Sequence, residues 1–461
     1  MTKLKVGLLP LYLKLYIDNV PEATVNMDSF VENIVSAISS KGVEVFRSAI
    51  CYNKKQFNDA VKEIEKQKVD AIVTLHLAYS PSLESIEALG GTHLPIIVLN
   101  TTPNYEFGKD STPDDIMYNH GIHGVQDMCN LLKRYNKHFI IESGHWEKSD
   151  VIERTVDDIK AAALKRYMTK SRTGIIGKPF YGMGDFSVPY KTLKETIGID
   201  IIEEKPEKIA KLIPDKNNPE VIDEIESDNN QYINESISES SHLNSVRIGF
   251  AIRKWLKEKK LDSYSINFSE IGRNTGFPTF PFLESSKAMA RGIGYAGEGD
   301  VLTATLVGAL MKIYSESSFT EMFCPDWKGS RIFLSHMGEM NINLINGRPR
   351  LVEKEYPFID LENPVVAMGQ FKKGTAVLVN LAPAKEDNYN LIISKVKMVE
   401  EKAADLKDTI NGWFETPVPV NDFLSEYSRK GGTHHSCLVY GDNVRSIIKF
   451  GRLMGWNVHE L

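Results

Sequence analysis

The sequence predicts an α/β fold of two doubly wound, flavodoxin-like parallel-sheet domains, followed by a β-rich, barrel-like C-terminal domain. In the first part, short apolar runs alternate with amphipathic helical patterns, and a second block of the same kind opens near residue 172. From about Glu316 onwards, short strands separated by turn residues take over. Alternating strands and helices favour parallel sheets, whereas a succession of short strands favours a barrel. These changes predict three domains, residues 1–171, 172–315 and 316–461.

The first domain is predicted from five apolar strands with amphipathic stretches between them. Strands that are apolar on both faces are typical of a parallel sheet covered by helices on both sides. Ligands of such sheets bind beyond the carboxyl ends of the strands, so Leu75–Pro81 and Asn100–Glu106 are candidate site segments. The predicted strands are Lys5–Leu9, Val43–Ala49, Val69–His76, Leu94–Asn100 and His138–Gly144.

A long helical pattern over Ser149–Met168 closes the first domain, and Thr173–Phe186 opens the second. The polar stretch Asp215–Ser241 predicts a solvated helix with a loop, because it lacks the proline and glycine density of a disordered linker. A helix with apolar positions from Val246 to Leu256 follows. In the third domain the predicted strands lie within residues 331–337, 348–356, 364–371, 375–382 and 390–398.

Composition and charge exclude several classes of protein. Apolar residues make up 42% of the 461 residues and charged residues 25%, which is ordinary for a folded, water-soluble chain. The net charge of −6 argues against a nucleic-acid partner or an anionic membrane surface. Four well-separated cysteines suit a reducing compartment, and no stretch has the layout of a signal peptide or a membrane span. We therefore expect a cytoplasmic protein.

The stretch Gly292–Leu310 contains the pattern G-x-G-x-x-G, which by itself is weak evidence for a dinucleotide site. A dinucleotide loop directly follows a strand and opens a helix. Here the preceding FPFLESSKAMAR has helical spacing, so the required context is missing. A nicotinamide-dependent oxidoreductase remains an alternative that cofactor binding would test. Asp300 is the predicted N-cap of the next helix, which leaves Glu298 in a glycine-flanked turn with a protruding carboxylate.

Other acidic and imidazole side chains stand in similarly unusual settings. Glu321 lies between phenylalanines in SSFTEMF, and His336 lies in the apolar RIFLSHMGEM. The pair His434 and His435 follows two glycines in KGGTHHS. A buried carboxylate is costly without a partner, and convergence on a divalent cation would offset that cost. Mixed oxygen and nitrogen ligation suits Mn²⁺, Fe²⁺, Co²⁺ or Zn²⁺ better than Ca²⁺. The competing interpretation is that each group is satisfied separately in the core or in a salt bridge.

The motifs GYAGEGD, SSFTEM, LSHMGE and GGTHHS, in this order and at these separations, resemble those of the L-arabinose isomerase family, which is grouped with the L-fucose isomerases. The resemblance covers the last two-thirds of the chain, and four motifs in order are more specific than any one. It implies a catalytic centre that holds a metal ion, usually Mn²⁺. The implied ligands are Glu298, Glu321, His336 and His435, with His434 and, less directly, Glu339 beside them.

The resemblance also implies a set of substrate-facing residues, although this side of the site departs from the family pattern. The family has glutamine where this chain has His120, which exchanges a two-sided amide for a titratable ring. Its N-terminal glutamine-leucine-tyrosine motif is not reproduced, and Tyr12 or Tyr16 are the possible stand-ins. The substrate-binding candidates are His120, His123, Met183, Phe268 and Tyr16.

By this resemblance the chain is expected to be an isomerase of carbohydrate metabolism. It would interconvert a free aldose and ketose of the L-arabinose kind through an enediol, with Glu298 and Glu321 as acid/base groups as well as metal ligands. Family members are hexamers or tetramers in which the N-terminal domain of one subunit covers the metal site of another, so His120 and His123 are expected to act in trans. The departures leave open an isomerase or epimerase for a different or modified sugar. The alternative of another class is a non-catalytic sugar-binding protein.

Overall fold

The computed structural model describes residues 3–19, 25–401, 406 and 408–461. The chain forms two compact units, one up to residue 166 and one from residue 167 onwards. The predicted division into three domains stays a prediction.

The N-terminal unit contains a five-stranded parallel sheet. Its strands are β1 (Leu4–Leu11), β2 (Val43–Arg47), β3 (Ala71–His76), β4 (Ile96–Asn100) and β5 (Phe139–Ser143). They lie in the order β2-β1-β3-β4-β5, with every neighbouring pair parallel. All five strands fall within or close to the predicted segments, and the order is that of a doubly wound, flavodoxin-like sheet. This part of the predicted fold class is confirmed.

Helices connect these strands and cover the sheet. They are α1 (Lys14–Asn19), α2 (Val25–Ser39), α3 (Lys54–Lys66), α4 (Ser82–Gly91), α5 (Pro113–Asn119), α6 (Ile122–Arg134) and α7 (Val151–Thr169). The apolar faces of α3, α4 and α6 pack on one face of the sheet, with Phe57, Leu89 and Met128 in the shared core. Gly7 on β1 permits this packing, because a Cβ there would lie 2.3 Å from the side chain of Ile64.

The second unit begins with another parallel sheet. Its elements are β6 (Arg172–Ile176), α8 (Tyr190–Thr196), β7 (Asp200–Glu204), α9 (Pro206–Ala210), α10 (Pro219–Gln231), β8 (Ile233–Glu235), α11 (Glu239–Lys259), β9 (Ser263–Ile266), α12 (Phe282–Ala290), β10 (Gly294–Gly297) and α13 (Val301–Ile313). Four of the strands form the parallel sheet β10-β9-β6-β7. The predicted second α/β block is therefore present, and the helix predicted within residues 215–241 is α10.

The rest of the chain is rich in β-structure. It contains β11 (Ser317–Asp326), β12 (Arg331–Ser335), β13 (Arg350–Glu353), β14 (Val365–Met368), β15 (Gly374–Pro383), β16 (Tyr389–Val399), β17 (Gly412–Glu415), α14 (Val420–Arg429), β18 (His435–Tyr440), α15 (Val444–Met454) and β19 (Asn457–Glu460). The strands β15-β18-β11-β12-β17-β16 follow one another, and β16 pairs again with β15, so the sheet closes as a barrel. The predicted barrel-like domain is confirmed.

Two predicted strands do not join the barrel. β13 and β14 pair antiparallel with each other, and β13 pairs parallel with β8 of the preceding α/β part. The result is a separate three-stranded sheet. The short, turn-rich segments predict strands in this region, but strand propensity alone does not choose between the two possible partners.

Helix α13 lies between the parallel sheet and the barrel, in contact with β9 and β10 on one side and β11 and β18 on the other. The sequence predicts one apolar stripe, whereas all but one of its residues are buried. A helix that packs between two layers buries more than one face. The turn just before α13 is therefore held where the sheet and the barrel meet.

Within the described residues, no helix combines the length and the apolar character needed to cross a bilayer. All four cysteines are free thiols.

Candidate metal centre

The first predicted ligand lies in the turn between β10 and α13. Glu298 has a left-handed backbone conformation, with φ of +62°, and Gly299 follows with φ of +86°. The backbone of Glu298 is held on both sides, because its N–H donates to Ile266 O at 3.0 Å and its carbonyl accepts from Phe180 N–H at 2.9 Å. The side chain therefore projects from the carboxyl end of the parallel sheet, where ligands of such sheets bind.

The other three predicted ligands come from neighbouring strands of the barrel. On β11, Glu321 lies opposite His435 of β18 and opposite Ser335 of β12. His336 is the residue directly after Ser335. Register across three adjacent strands therefore gathers two imidazoles and one carboxylate at one place on the barrel.

The turn and the barrel strands bring the four side chains together. Glu298 Oε2 lies 3.5 Å from His435 Nε2, and Glu321 Oε2 lies 4.0 Å from His336 Nε2. His435 belongs to two groups of potential ligands, one with Glu298 and His434 and one with Glu321 and His336, and the donor atoms within each group lie within 4.8 Å of one another. The convergence expected from the sequence is present in the structure.

The burial of His435 indicates what kind of ligand this cluster can bind. His435 is fully buried, and its Nε2 has no hydrogen-bond partner among the described residues. A buried polar atom without a partner costs free energy, so such an atom inside a cluster of acids and imidazoles calls for a ligand. Two carboxylates and two imidazoles form a donor set that suits a divalent transition metal. The residues present therefore fit a metal ion.

The second nitrogen of each of the two histidines, His336 and His435, is held by a buried carboxylate. His435 Nδ1 donates to Asp300 Oδ2 at 2.9 Å, and His336 Nδ1 donates to Glu339 Oε2 at 2.6 Å. Glu339 also accepts from Tyr295 Oη at 2.8 Å and from the Gly338 N–H at 2.9 Å. A carboxylate at Nδ1 orients the ring and leaves Nε2 free to bind a metal, which is the usual arrangement around metal-binding histidines.

His434 lies between two acidic side chains. Its Nδ1 is 2.6 Å from Asp185 Oδ2, and its Nε2 is 3.4 Å from Glu298 Oε2. Burial alone would lower the pKa of His434, but the hydrogen bonds to Asp185 and Glu298 raise it to about 10. In return, His434 outweighs the burial of Asp185 and lowers the pKa of that carboxyl to about 2. His434 is therefore a cation at neutral pH in this arrangement.

The two candidate acid/base groups differ in their electrostatic surroundings. Burial raises the pKa of Glu321 above its usual value, and the nearby histidines offset only part of the effect. Burial acts in the same direction on Glu298, but the hydrogen bond from His434 and the other neighbouring imidazoles outweigh it and lower the pKa. Burial opposes charging of His336, yet Glu339 raises the pKa of that ring above its usual value. The pKa values of the two carboxyl groups are thus pushed apart.

Two predicted substrate residues of this unit lie beside the segment that holds Glu298. The ring of Phe268 is 5.3 Å from the ring of Phe180, whose N–H binds the Glu298 carbonyl. Met183 is half-buried, and its N–H donates to Phe180 O at 3.5 Å. Met183 is close to Phe180 in the chain, and Phe268 is close to it in space. Phe180 itself contacts Glu298 of the cluster through its backbone.

The remaining substrate candidates belong to the N-terminal unit, where they form a group of their own. Tyr16 Oη lies 3.2 Å from His120 Nε2, and the ring of His123 lies 5.4 Å from that of His120. His120 Nδ1 lies 2.6 Å from Ile116 O, so both nitrogens of the ring have partners within this unit. Tyr12 is buried, whereas His123 is exposed. Of these residues, His123 and Tyr16 offer the more accessible polar groups.

Two residues of the centre, Asp185 and Asp300, have contacts that the sequence does not predict. Asp185 lies in YGMGDF, where the family resemblance marks only Met183, and nothing in the sequence links Asp185 to a histidine 249 positions away. Asp300 is predicted as the N-cap of α13, and it does accept the Thr303 N–H. Its second contact, with His435, depends on the meeting of sheet and barrel, which has no local sequence signal.

Comparison with known families agrees with this architecture. The family model of the L-arabinose isomerase central domain matches residues 198–317, and that of the C-terminal domain matches residues 316–457. Together they cover more than half of the chain. They describe domains of an enzyme that interconverts an aldose and a ketose, an intramolecular oxidoreductase. The chain belongs to the L-arabinose isomerase family, as its motifs predict.

Curated relatives extend the match over most of the chain. The L-arabinose isomerase of Oceanobacillus iheyensis is 22% identical over 460 residues, with 94% of each chain covered. That of Anoxybacillus flavithermus is 23% identical over 443 residues, covering 89% of this chain and 84% of the relative. Among solved structures, a periplasmic solute-binding protein of Actinobacillus succinogenes with bound D-allose matches at 14% identity and a TM-score of 0.18, over 68% of this chain and 92% of that one. A likeness at that score carries no argument about this chain.

Proposed function

We propose that this protein is a divalent-metal-dependent isomerase that converts a free pentose or hexose of the L-arabinose kind between its aldose and ketose forms. The observation that supports this most is the convergence of Glu298, Glu321, His336 and His435 around the unpartnered, buried Nε2 of His435. We propose these four residues as the metal ligands and Mn²⁺ as the metal, with other divalent transition metals as possible substitutes.

The reaction moves hydrogen within one molecule. A proton leaves C2 of the aldose and arrives at C1, while the C2 hydroxyl proton moves to the C1 oxygen, so no external oxidant or reductant is needed. We propose that Glu298 and Glu321 remove and return the carbon-bound proton through an enediol, because two carboxylates lie on the same small cluster. A bound divalent cation would stabilise negative charge on the reacting oxygens.

The surrounding residues have supporting parts in this proposal. Asp300 and Glu339 hold the two ligand imidazoles in one orientation. His434 places a positive charge 3.4 Å from Glu298 Oε2, which keeps that carboxyl ionised and ready to accept a proton. Met183 and Phe268 are proposed to face the sugar. Such prearranged charges lower a barrier because they need no reorganisation during the reaction.

The central experiment measures ketose formation from a panel of pentoses, hexoses and their 6-deoxy forms. The protein is first treated with a chelator and then supplied with Mn²⁺. We expect chelation to abolish the reaction and Mn²⁺ to restore it with at least one aldose. Turnover that survives complete removal of metal would sink the proposal.

The substrate-facing residues of the N-terminal unit depart from the family pattern. His120 stands where the family has glutamine, and both of its ring nitrogens are engaged by Tyr16 and Ile116. A glutamine amide both donates and accepts, whereas the nitrogens of this ring already have partners, so His120 would recognise a sugar differently from the family's glutamine, and a different or modified sugar is the second candidate. The panel separates the two, because L-arabinose would then be turned over more slowly than another sugar.

We further propose a cytoplasmic homo-oligomer, a hexamer or tetramer, in which His120, His123 and Tyr16 of one subunit serve the metal site of another. A monomer with full activity would contradict this. The alternative of a non-catalytic sugar-binding protein is separated by metal analysis, since a simple binder has no use for two carboxylates on a stoichiometric transition metal.

A further inference from the structure

We propose that Asp300 is a positioning residue for the metal centre, because it determines which nitrogen of His435 is free to bind a cation. The inference rests on the proposed function, since it takes His435 Nε2 to be a metal ligand. Asp300 would otherwise be explained fully as the N-cap of helix α13.

Asp300 makes two contacts, one with each carboxylate oxygen. Oδ1 accepts the backbone N–H of Thr303 at 2.8 Å and caps helix α13. Oδ2 accepts from His435 Nδ1 at 2.9 Å. The aspartate and the histidine are both fully buried, so water does not compete for either contact. Capping alone needs only the first oxygen, and the second is committed to the imidazole.

This second contact selects a tautomer. An ionised carboxylate can only accept hydrogen bonds, so Nδ1 must carry the hydrogen. A neutral imidazole carries only one such hydrogen, which leaves a lone pair on Nε2. That nitrogen faces Glu298 Oε2 at 3.5 Å and has no hydrogen-bond partner among the described residues.

One short turn therefore contacts both nitrogens of the same ring. Glu298 faces Nε2 and Asp300 binds Nδ1, with only Gly299 between them in the chain. The backbone is left-handed at Glu298 and Gly299, and in this conformation the side chains of Glu298 and Asp300 both reach His435. The turn precedes a helix buried along nearly all of its length, so the contact is anchored in the core. The geometry fits a device that presents Nε2 in a fixed direction.

The test separates capping from positioning by two substitutions. In Asp300→Asn, the amide oxygen can still cap α13, but the amide nitrogen is a donor that favours a hydrogen on Nε2 instead of Nδ1. In Asp300→Ser, the hydroxyl can cap the helix but is too short to reach His435. As a matched control, Ser238→Ala removes the N-cap of α11, whose hydroxyl accepts the Ser241 N–H at 3.2 Å. The control is expected to lower the melting temperature by a few degrees at most and to leave the metal centre untouched.

Metal affinity is the first readout, measured calorimetrically with Mn²⁺ and with Co²⁺. We expect both Asp300 variants to stay folded by circular dichroism and to bind metal roughly 10- to 100-fold more weakly, as is typical when the carboxylate behind a ligand histidine is lost. The Co²⁺ absorption spectrum should change in Asp300→Asn, and Ser238→Ala should bind like the wild type. Wild-type affinity in both Asp300 variants would overturn the inference.

A second readout needs no metal. In metal-free protein labelled with ¹⁵N at histidine, we expect His435, assigned by its loss in His435→Gln, to carry its hydrogen on Nδ1. In Asp300→Asn the hydrogen should move to Nε2. If the wild type binds no metal, the metal part of the proposed function fails, while this measurement still decides the role of Asp300. An unchanged tautomer in Asp300→Asn would refute that role.

Discussion

The Nδ1 atom of His434 lies 2.6 Å from Oδ2 of Asp185, a residue 249 positions earlier in the chain. The same carboxylate oxygen also accepts the backbone N–H of His434 at 3.1 Å. The loop that follows strand β6 is thereby joined to the residue that precedes barrel strand β18. Because His434 also faces Glu298, this contact controls the charge next to the proposed acid/base group.

This contact predicts a pH-dependent stability in metal-free protein. The folded pKa of His434 is about 10, above the ordinary 6.5, so its stabilising effect is complete below pH 6.5 and is lost as the pH rises through 10. We expect the contribution to be about 2 kcal/mol at neutral pH, allowing for the partial exposure of the ring. The difference in melting temperature between wild type and His434→Gln should therefore shrink between pH 7 and pH 10.5. Asp185→Asn should show a similar loss, and a constant difference would contradict the assignment.

The two carboxylates of the cluster should be indispensable. Glu298→Gln and Glu321→Gln keep the shape of the side chain but remove the charge, so each should lower turnover by at least 10³-fold. Both proteins should remain folded, because neither carboxylate is part of the apolar core. Glu316→Gln is a matched control, since Glu316 pairs with Lys372 on the surface and should be dispensable. Near-normal turnover in either of the two glutamate variants would show that the acid/base assignment is wrong.

The left-handed turn predicts a sharp difference between two glycines. At Gly299 an added Cβ would lie 2.5 Å from Pro179 Cα, whereas at Gly292 no atom lies within 4 Å. Both have a positive φ, of +86° and +80°. Gly292→Ala should therefore cost only the conformational strain, about 1 kcal/mol, and Gly299→Ala about 3 kcal/mol or more. Thermal unfolding of the two variants would measure this. Equal losses would mean that the contact with Pro179 is readily relieved.

The N-terminal unit contains a buried histidine that should make it sensitive to acid. Neither ring nitrogen of His76 has a hydrogen-bond partner among the described residues, and burial outweighs the charge of Asp127 to lower its pKa from 6.5 to about 3. The folded state thus binds fewer protons than the unfolded state in this window, so stability falls as the pH drops from 6.5 towards 3.

His76→Gln removes the titration without changing the size of the side chain greatly. We expect the variant to gain stability over the wild type by up to about 1.4 kcal/mol per pH unit below pH 6.5. Melting temperatures at pH 7, 6 and 5 would follow the change. Exposed His93→Gln is the control, and its melting temperature should stay parallel to that of the wild type.

Most of the fold could be predicted from the sequence because the strands of parallel sheets are short apolar runs separated by amphipathic helices. Each of the five strands of the first sheet falls on or close to such a run, and the apolar pattern that follows Asp300 predicts its role as a helix cap. The pairing of β13 with β8 could not be predicted, because it depends on a partner more than 100 residues away.

The same limit applies to the site. Glu298, Glu321, His336 and His435 could be found because motifs shared with a known family mark them. Asp185 and the second contact of Asp300 carry no such mark, since each acts through a histidine that the fold, and not the local sequence, brings within reach. Residues that only orient other residues therefore depend on the three-dimensional fold for their recognition.

The proposed ligands come from two architectures, Glu298 from the parallel sheet and the other three from the barrel, joined through one buried helix. This division has a consequence for recombination between relatives. A chimaera that exchanges only the barrel would combine the histidines of one relative with the Glu298–Asp300 turn of the other. The contacts of both ring nitrogens of His435 would then join residues from different proteins. The segment from Glu298 to Asp300 would have to come from the same parent as the strand that bears His435. The two segments are far apart along the gene but can be exchanged only together.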